Sequence, residues 1–382
     1  MAAGAFLRRR WHVISSARHP VASWLRTRST ADPPATAVLL GTEFDRQDNA
    51  LLLDGIAAGL REGGRLALIH LGAGGSSLLR VAGKENPGLD TLSIQLPRAP
   101  SARAIQVAVT LAHSVGVGDE LSVDNSGAIT RTGWEPVPLP EPSSRRHLQD
   151  EGSVLVTGGL GGLGLRAAAV LAQCCGLHPV LIDTATPEQL PAGAARHLAR
   201  LRSIRHGVTV LNADVTDEHA ISSALSAVKA PPLLAVVHCA GQLHAGPVSQ
   251  CTSDQLAAVQ AVKVHGLRNV LAALNPERLR HLIAFGSITA ENPHHNMGCY
   301  ALANELLWRA TLQATKSLPG CATVAAQWSL WSGAGMAHQV GAVAQARRMG
   351  MTPISLRSGM IALVRLMSWP VGPANAARLL LR

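Results

Sequence analysis

The sequence predicts an α/β protein: a doubly wound parallel sheet preceded by a smaller α/β unit. Three observations carry this. Short apolar runs of strand length alternate with helical stretches along most of the chain. A glycine-rich turn at 157–164 stands between one such run and an Ala/Leu-rich helix. A proline-rich segment at 134–150 separates two such patterns.

With 382 residues the chain is long for one core and suits two domains. Hydrophobic residues make up 47% and charged residues 15%, a composition that folds. No apolar run reaches the ~18–20 residues of a membrane span, so no membrane partner is expected. The net charge of +10 would suit nucleic acid. However, six arginines crowd into the first 28 residues and aromatics are only 3% of the chain, which leaves few stacking platforms for bases. No nucleic-acid partner is expected, and a basic surface suits an acidic protein or phosphorylated ligand. The six cysteines show no CxxC pair and no zinc-like spacing. They read as reduced thiols among apolar neighbours, and no metal site is expected.

From the N-terminus, residues 1–34 form a basic segment with no acid before Asp32. Its composition fits an organelle transit peptide or a basic arm at a domain edge, and neither is expected to add to a core. The first reading places the protein in a plastid or mitochondrion, the second in the cytoplasm. Residues 35–150 are read as a structural subdomain with its linker. Strands are predicted at Ala37–Leu40 and Arg65–Ile69, helices at Leu51–Arg61 and Ala102–Val115, and a hairpin at Glu120–Arg131 turning at Asp124–Gly127. The turn Gly72–Ser77 has serine where a phosphate loop needs its last glycine, which predicts a truncated nucleotide-binding fold without a ligand.

Residues 151–382 are read as the catalytic domain, of Rossmann type. Val154–Val156 is a short buried strand that enters Thr157, Gly158, Gly159, Leu160, Gly161, Gly162, Leu163 and Gly164, and a helix follows to about Cys175. Glycines there permit a tight turn, close approach of backbone to a pyrophosphate, and contact between helix and sheet. The helix N-terminus supplies amide donors for the anion. The next strand, Pro179–Ile182, ends at Asp183, where an acid binds ribose hydroxyls and favours NAD over NADP. A third strand, Val208–Leu211, leads to Asp214 and Val215 at the adenine position. A fourth, Leu233–Val237, leads to Ala240 and Gly241, small residues that let backbone lie along a cofactor.

Strand Leu282–Phe285 runs into Gly286–Ser287, and thirteen residues later stands Tyr300, the sole tyrosine of the chain. Tyr300 and Asn304 are four apart and share a helix face. Reducing a ketone needs hydride at carbon and a proton for the alkoxide. A phenol titrating near ~10 needs a neighbouring cation to act near neutrality. Lys263 is the natural choice, because only four lysines occur in a chain that otherwise uses arginine. Ser287 would hydrogen-bond the same carbonyl oxygen.

At these residues the chain resembles the ketoreductase domain of modular type I polyketide synthases and, more distantly, that of animal fatty-acid synthase. The likeness covers nearly everything beyond residue 35. It rests on Thr157–Gly164, Lys263-Val264-His265-Gly266, Phe285-Gly286-Ser287 and Tyr300–Asn304, all in the family's order and spacing. The resemblance implies Tyr300 as acid, Ser287 as carbonyl-orienting donor, Lys263 as the residue that lowers the tyrosine pKa, and Asn304 in support of a proton relay. It also implies that lysine and asparagine exchange positions relative to ordinary short-chain dehydrogenases. The segment Gln327–Met336 resembles the substrate-proximal stretch and the start of the family's lid helix. The resemblance further implies reduction of a β-ketoacyl thioester held on an acyl carrier protein, with NADPH as cofactor.

Three departures stand out. Asp183-Thr184 replaces the family's phosphate-binding arginine and leaves NADH admissible. Leu243-His244-Ala245 and Asn292 replace both markers of product stereochemistry, so the configuration is unread. No carrier-protein, acyltransferase or ketosynthase motif occurs, so a chain complete in itself would act in trans. A catalytically silent structural domain and a free-standing reductase of small ketones are the alternatives; oligomeric state is not readable.

Overall fold

The computed structural model describes residues 10–15, 19–27, 34–113, 120–141, 152–335, 342–348, 352–372 and 376–381. The chain divides into two compact units. One comprises Met1–Pro136, His244–Ala258 and Thr289–Leu306, the other Val137–Leu243, Val259–Ile288 and Leu307–Arg382. This division departs from a single linear boundary near residue 150.

The first unit holds a six-stranded sheet in sequential order. Its strands are β1 (Arg10–Ser15), β2 (Pro34–Leu40), β3 (Gly64–His70), β4 (Leu89–Gln95), β5 (Glu120–Val123) and β6 (Ile129–Arg131). All neighbours are parallel except the closing pair β5–β6, which is the expected hairpin; its turn is closed by the Asp124 N–H donating to the Ala128 carbonyl at 3.0 Å. The helices of this sheet are α1 (Ala22–Thr27), α2 (Arg46–Glu62), α3 (Ser76–Glu85) and α4 (Ala102–His113). Helix α2 starts at Asp45, whose side chain accepts from the N–H groups of Gln47 and Asp48 while Asp48 reaches back, a capping box. Residues 114 and 115 of the predicted helix, and 142–150 of the predicted linker, lie outside the described residues. Helix α3 and strand β4 were not anticipated; their apolar positions are short and interrupted by Gly83 and Pro87.

The stretch expected to stay out of any core does contribute to one. Trp11, Val21 and Leu25 are buried with Leu39, Ile69 and Ile94, and β1 pairs with β2 over six residues. The apolar residues are spaced among arginines, so composition over the whole segment conceals them.

The second unit holds seven strands in the order β15-β12-β11-β10-β7-β8-β9, all parallel. They are β7 (Ser153–Thr157), β8 (His178–Asp183), β9 (Thr209–Asn212), β10 (Leu233–His238), β11 (His281–Ser287), β12 (Ala322–Trp328) and β15 (Ala377–Leu381). A two-stranded ribbon pairs β13 (Trp331–Ser332) with β14 (Ile354–Ser355). Strand order reverses between β7 and β10, the switch point outside which open α/β sheets bind ligands. Helices α5 (Gly164–Cys175), α6 (Ala192–Arg202), α7 (Glu218–Ser226) and α9 (Gly266–Ala272) belong to this unit, while the residues of α8 (Ser253–Gln260) and α10 (Gly298–Ala314) are divided between the two units. Two cores form, one with Leu171, Val237 and Phe285 and one with Leu155, Val236 and Leu282. Alternate residues of β10 thus enter opposite cores, as a sheet covered on both faces requires. Arg365 ties the described end of the linker to this unit through the carbonyls of Leu139 and Pro140.

Candidate active site

Strand β7 delivers Thr157 to the switch point, and the glycine loop begins at once. Gly158 has φ 61° and its missing Cβ would lie 3.0 Å from the Ala240 backbone, so a side chain is excluded on both counts. At Gly164 a Cβ would fall 2.2 Å from the Gly158 carbonyl oxygen; this is where α5 packs onto the loop. Helix α5 starts at Gly164 without a side-chain cap, and the Leu165 N–H donates back to the Gly161 carbonyl at 3.0 Å. Gly159, Gly161, Gly162 and Leu163 complete the turn. Glycine cradle and helix terminus together fit a pyrophosphate.

Asp183, at the end of β8, turns its carboxylate onto this loop. One oxygen accepts from the Leu160 N–H at 3.0 Å and the other from the Ala185 N–H at 3.1 Å. The negative charge is therefore held in place beside the glycine turn. After β9, the Asp214 carboxylate accepts from the N–H and hydroxyl of Thr216, and Val215 is buried against Gly266. Ala240 donates its N–H to the Thr157 hydroxyl at 3.2 Å; Gly241 follows it in the irregular segment after β10.

A residue not singled out in the sequence links these parts. His238, fully buried, receives the Thr157 hydroxyl at Nδ1 (2.8 Å) and donates from Nε2 to the Lys263 carbonyl (3.0 Å). A carbonyl only accepts, so the network assigns the proton to Nε2. Burial pushes its pKa down to about 3, with the Lys263 cation adding to the effect, and the imidazole is neutral. The sequence signal was a histidine ending an otherwise apolar strand.

Lys263 lies in a π-helical turn, Ala261–His265, between α8 and α9; such turns often occur at functional sites. The side chain is 2% exposed, and Nζ donates to the Phe285 carbonyl at 3.0 Å. Burial lowers its pKa from 10.5 to about 8, so the ammonium persists at neutrality. Phe285 stands two residues before Ser287, the last residue of β11. Behind that strand end, Phe285 packs against Trp328 and Trp331, with ring centroids 5.1 and 6.4 Å away. These tryptophans of the Gln327–Met336 segment thus anchor the core; Met336 lies outside the described residues.

In the other unit, Tyr300 lies in the first turn of α10. Asn304 is fully buried; its Nδ2 donates to the Tyr300 carbonyl at 2.7 Å, and its Oδ1 has no hydrogen-bond partner among the described residues. The next residue, Glu305, was not anticipated. Its carboxylate accepts from the Gly75 N–H (3.1 Å), the Ser76 hydroxyl (3.0 Å) and the Ser77 N–H (2.8 Å) at the start of α3. The helix terminus that would hold a phosphate in a complete nucleotide fold here holds a carboxylate from the chain itself. The signal was a lone acid in a 17-residue helix otherwise free of acids.

A parallel sheet with a switch point, a glycine cradle and a buried lysine beside a strand-end serine define an oxidoreductase of the short-chain dehydrogenase type. The KR-domain family model matches residues 152–333. The chain is 30% identical over 277 residues to the pikromycin polyketide synthase component PikAIII of Streptomyces venezuelae, which covers 72% of this chain and 17% of that protein. Against erythronolide synthase EryA3 of Saccharopolyspora erythraea it is 30% identical over 267 residues, or 69% of this chain and 8% of that one. The chain therefore spans less than a fifth of these relatives. Among solved structures, an A-type ketoreductase from a modular polyketide synthase superposes with a TM-score of 0.79 at 26% identity, covering 97% of this chain and 88% of the other. A ketoreductase domain from the bacillaene assembly line has the same fold, with a TM-score of 0.79 at 21% identity over 98% of this chain and 92% of its own. Residues 152–333 thus carry a KR domain, and the chain is similar in sequence and fold to the ketoreductase domains of polyketide synthases.

Proposed function

We propose that the protein reduces the β-carbonyl of an acyl thioester carried on an acyl carrier protein, giving a β-hydroxyacyl thioester. The observation that carries this reading is the buried ammonium of Lys263, held 3.0 Å from the Phe285 carbonyl on the strand that ends in Ser287. A buried cation fixed at the strand that ends in Ser287 suits the stabilisation of a developing oxyanion and its proton donor.

In this reading the glycine turn, Asp183, Asp214, Val215, Ala240 and Gly241 hold a nicotinamide dinucleotide, which when bound supplies hydride to the carbonyl carbon. Ser287 donates its hydroxyl to the carbonyl oxygen and orients it. Tyr300 gives its phenolic proton to the same oxygen as the alkoxide forms. Lys263 stabilises the phenolate left behind. The buried Oδ1 of Asn304 offers an acceptor to the relay that returns a proton to Tyr300. In this account the catalytic groups all come from residues 151–382, although Tyr300 and Asn304 group with residues 1–136 in the division into compact units.

NADPH is the cofactor implied by the resemblance, and Asp183 changes that expectation. Its carboxylate is fixed by two N–H groups and would face a 2′-phosphate with like charge, whereas ribose hydroxyls can donate to it. NADH is accordingly accepted at least as well as NADPH.

The test is reduction of a β-ketoacyl thioester, both as the N-acetylcysteamine ester and on a carrier protein, with each cofactor. Formation of the β-hydroxyacyl product supports the reading. A folded protein that binds dinucleotide yet turns over neither substrate refutes it in favour of the silent structural domain. Equal turnover of simple ketones would favour the small-ketone reductase.

A further inference from the structure

Cys251 and Cys299 are 48 residues apart in sequence, yet their sulfurs lie 3.3 Å from each other. The proximity is built by backbone. Gly246 donates its N–H to the Asn296 carbonyl at 2.9 Å and forms an isolated bridge with Met297. The two oxygens of Glu85 each accept an N–H at 2.7 Å, one from Val248 and one from Asn296. At Gly298 an added Cβ would fall 2.6 Å from Val248 Cγ2. Segments 246–251 and 296–299 are thereby held side by side, and the two thiols are presented to each other by fixed neighbours.

We propose that Cys251 and Cys299 form an oxidisable dithiol that closes to an intrachain disulfide under hydrogen peroxide. Cys251 is half-buried at the junction between a 3₁₀ turn and α8, while Cys299 is buried in the first turn of α10. The accessible member reacts first. Its thiolate attacks a peroxide oxygen; an S–O bond forms, the O–O bond breaks, and the departing hydroxide takes up a proton as water. The Cys299 sulfur then attacks the Cys251 sulfur. The S–S bond forms, the S–O bond breaks, and the hydroxyl leaves as water with the Cys299 proton. Two electrons pass from the pair to the peroxide. The sulfurs need approach only from 3.3 Å to the bonded ~2.05 Å, a movement within reach of the junction at Cys251.

The chemistry around the pair distinguishes it from the other thiols. Cys299 hydrogen-bonds to the Cys251 sulfur, which holds the Cys251 thiol below its ordinary range. Burial pushes Cys175, Cys239 and Cys321 up to about 12, which disfavours their thiolates. Cys174 is exposed and adjoins Cys175 in sequence.

Because Cys299 precedes Tyr300, closure also shifts the turn that carries the tyrosine. That consequence rests on the catalytic reading above, whereas formation of the bond does not.

The test treats the full, reduced chain with hydrogen peroxide and maps disulfides by mass spectrometry after non-reducing digestion. The expected result is one linked peptide pair containing Cys251 and Cys299, lighter by two hydrogens and separated by dithiothreitol. In Cys299→Ser, Cys251 should instead yield a sulfenic acid that dimedone traps. Wild-type mapping requires no variant, so misfolding of a serine substitution cannot obscure it. Cys251 left reduced, oxidised to sulfinate without linkage, or linked to another cysteine would overturn the proposal. If thioester reduction is established, oxidised protein should lose about tenfold or more of its turnover, recovered with dithiothreitol. Linkage without that loss would separate the modification site from any effect on catalysis.

Discussion

The Nε2 of His238 lies 3.0 Å from the carbonyl oxygen of Lys263, so the imidazole that ends β10 holds the backbone of the turn that carries the buried lysine. Through its Nδ1 the same ring receives the hydroxyl of Thr157, at the root of the glycine loop. One side chain thus connects the root of the glycine loop to the turn that carries the buried lysine.

Replacing His238 by alanine should destabilise the protein by about 2–4 kcal/mol, since two buried hydrogen bonds are lost and their partners are stranded. Urea denaturation at pH 7 measures this. A loss below ~0.5 kcal/mol, within the range of ordinary surface substitutions, would show that the network is dispensable.

The same histidine makes stability acid-sensitive. Below 6.5 the unfolded chain takes up a proton that folded His238 refuses until about 3, so stability falls as pH drops across that window. The slope from this group is at most about 1.4 kcal/mol per pH unit. His19 and His281, each pushed by burial to about 4, steepen the decline with the same sign. Urea midpoints between pH 7 and pH 4 should therefore fall less in a folded His238→Gln variant than in wild type. Parallel curves would contradict the buried neutral imidazole.

Glu305 should prove structural. Its three acceptor contacts cap α3 at a positive helix terminus. Glu305→Ala should cost about 2–4 kcal/mol, and Glu305→Gln less, because one acceptor oxygen remains. Urea denaturation of both variants provides the check, and equal losses would mean that the acceptor oxygen retained by glutamine plays no part.

The glycine turn before α5 and the helix that carries Tyr300 and Asn304 were legible in the sequence because each is a local motif whose residues sit within one strand, turn or helix. Asp183 was legible as an acid at a strand end, though not its fixing by the Leu160 N–H, which crosses 23 positions. Glu305 with Ser77 crosses 228, and Cys251 with Cys299 crosses 48. Such pairs exist only once strands and helices pack, and no periodicity announces them. Trp11, Val21 and Leu25 were missed for a different reason: their burial depends on β1 pairing with β2, while their neighbours are basic.

Asp183→Ala should raise the NADPH-to-NADH ratio of binding affinities by about tenfold, as expected when one like-charge contact with a 2′-phosphate is removed. Fluorescence titration of the two reduced dinucleotides measures it without turnover. An unchanged ratio would place the discriminating group elsewhere.

The central claim is that Tyr300 supplies the proton to the carbonyl oxygen. The most direct measurement is the single-turnover rate of β-ketoacyl thioester reduction by wild type and Tyr300→Phe, with dinucleotide binding recorded in parallel. The account predicts a rate lower by about 10²-fold or more, the scale of a lost general acid, with dinucleotide affinity unchanged. A Tyr300→Phe protein that binds dinucleotide and reduces the thioester at the wild-type rate would contradict it.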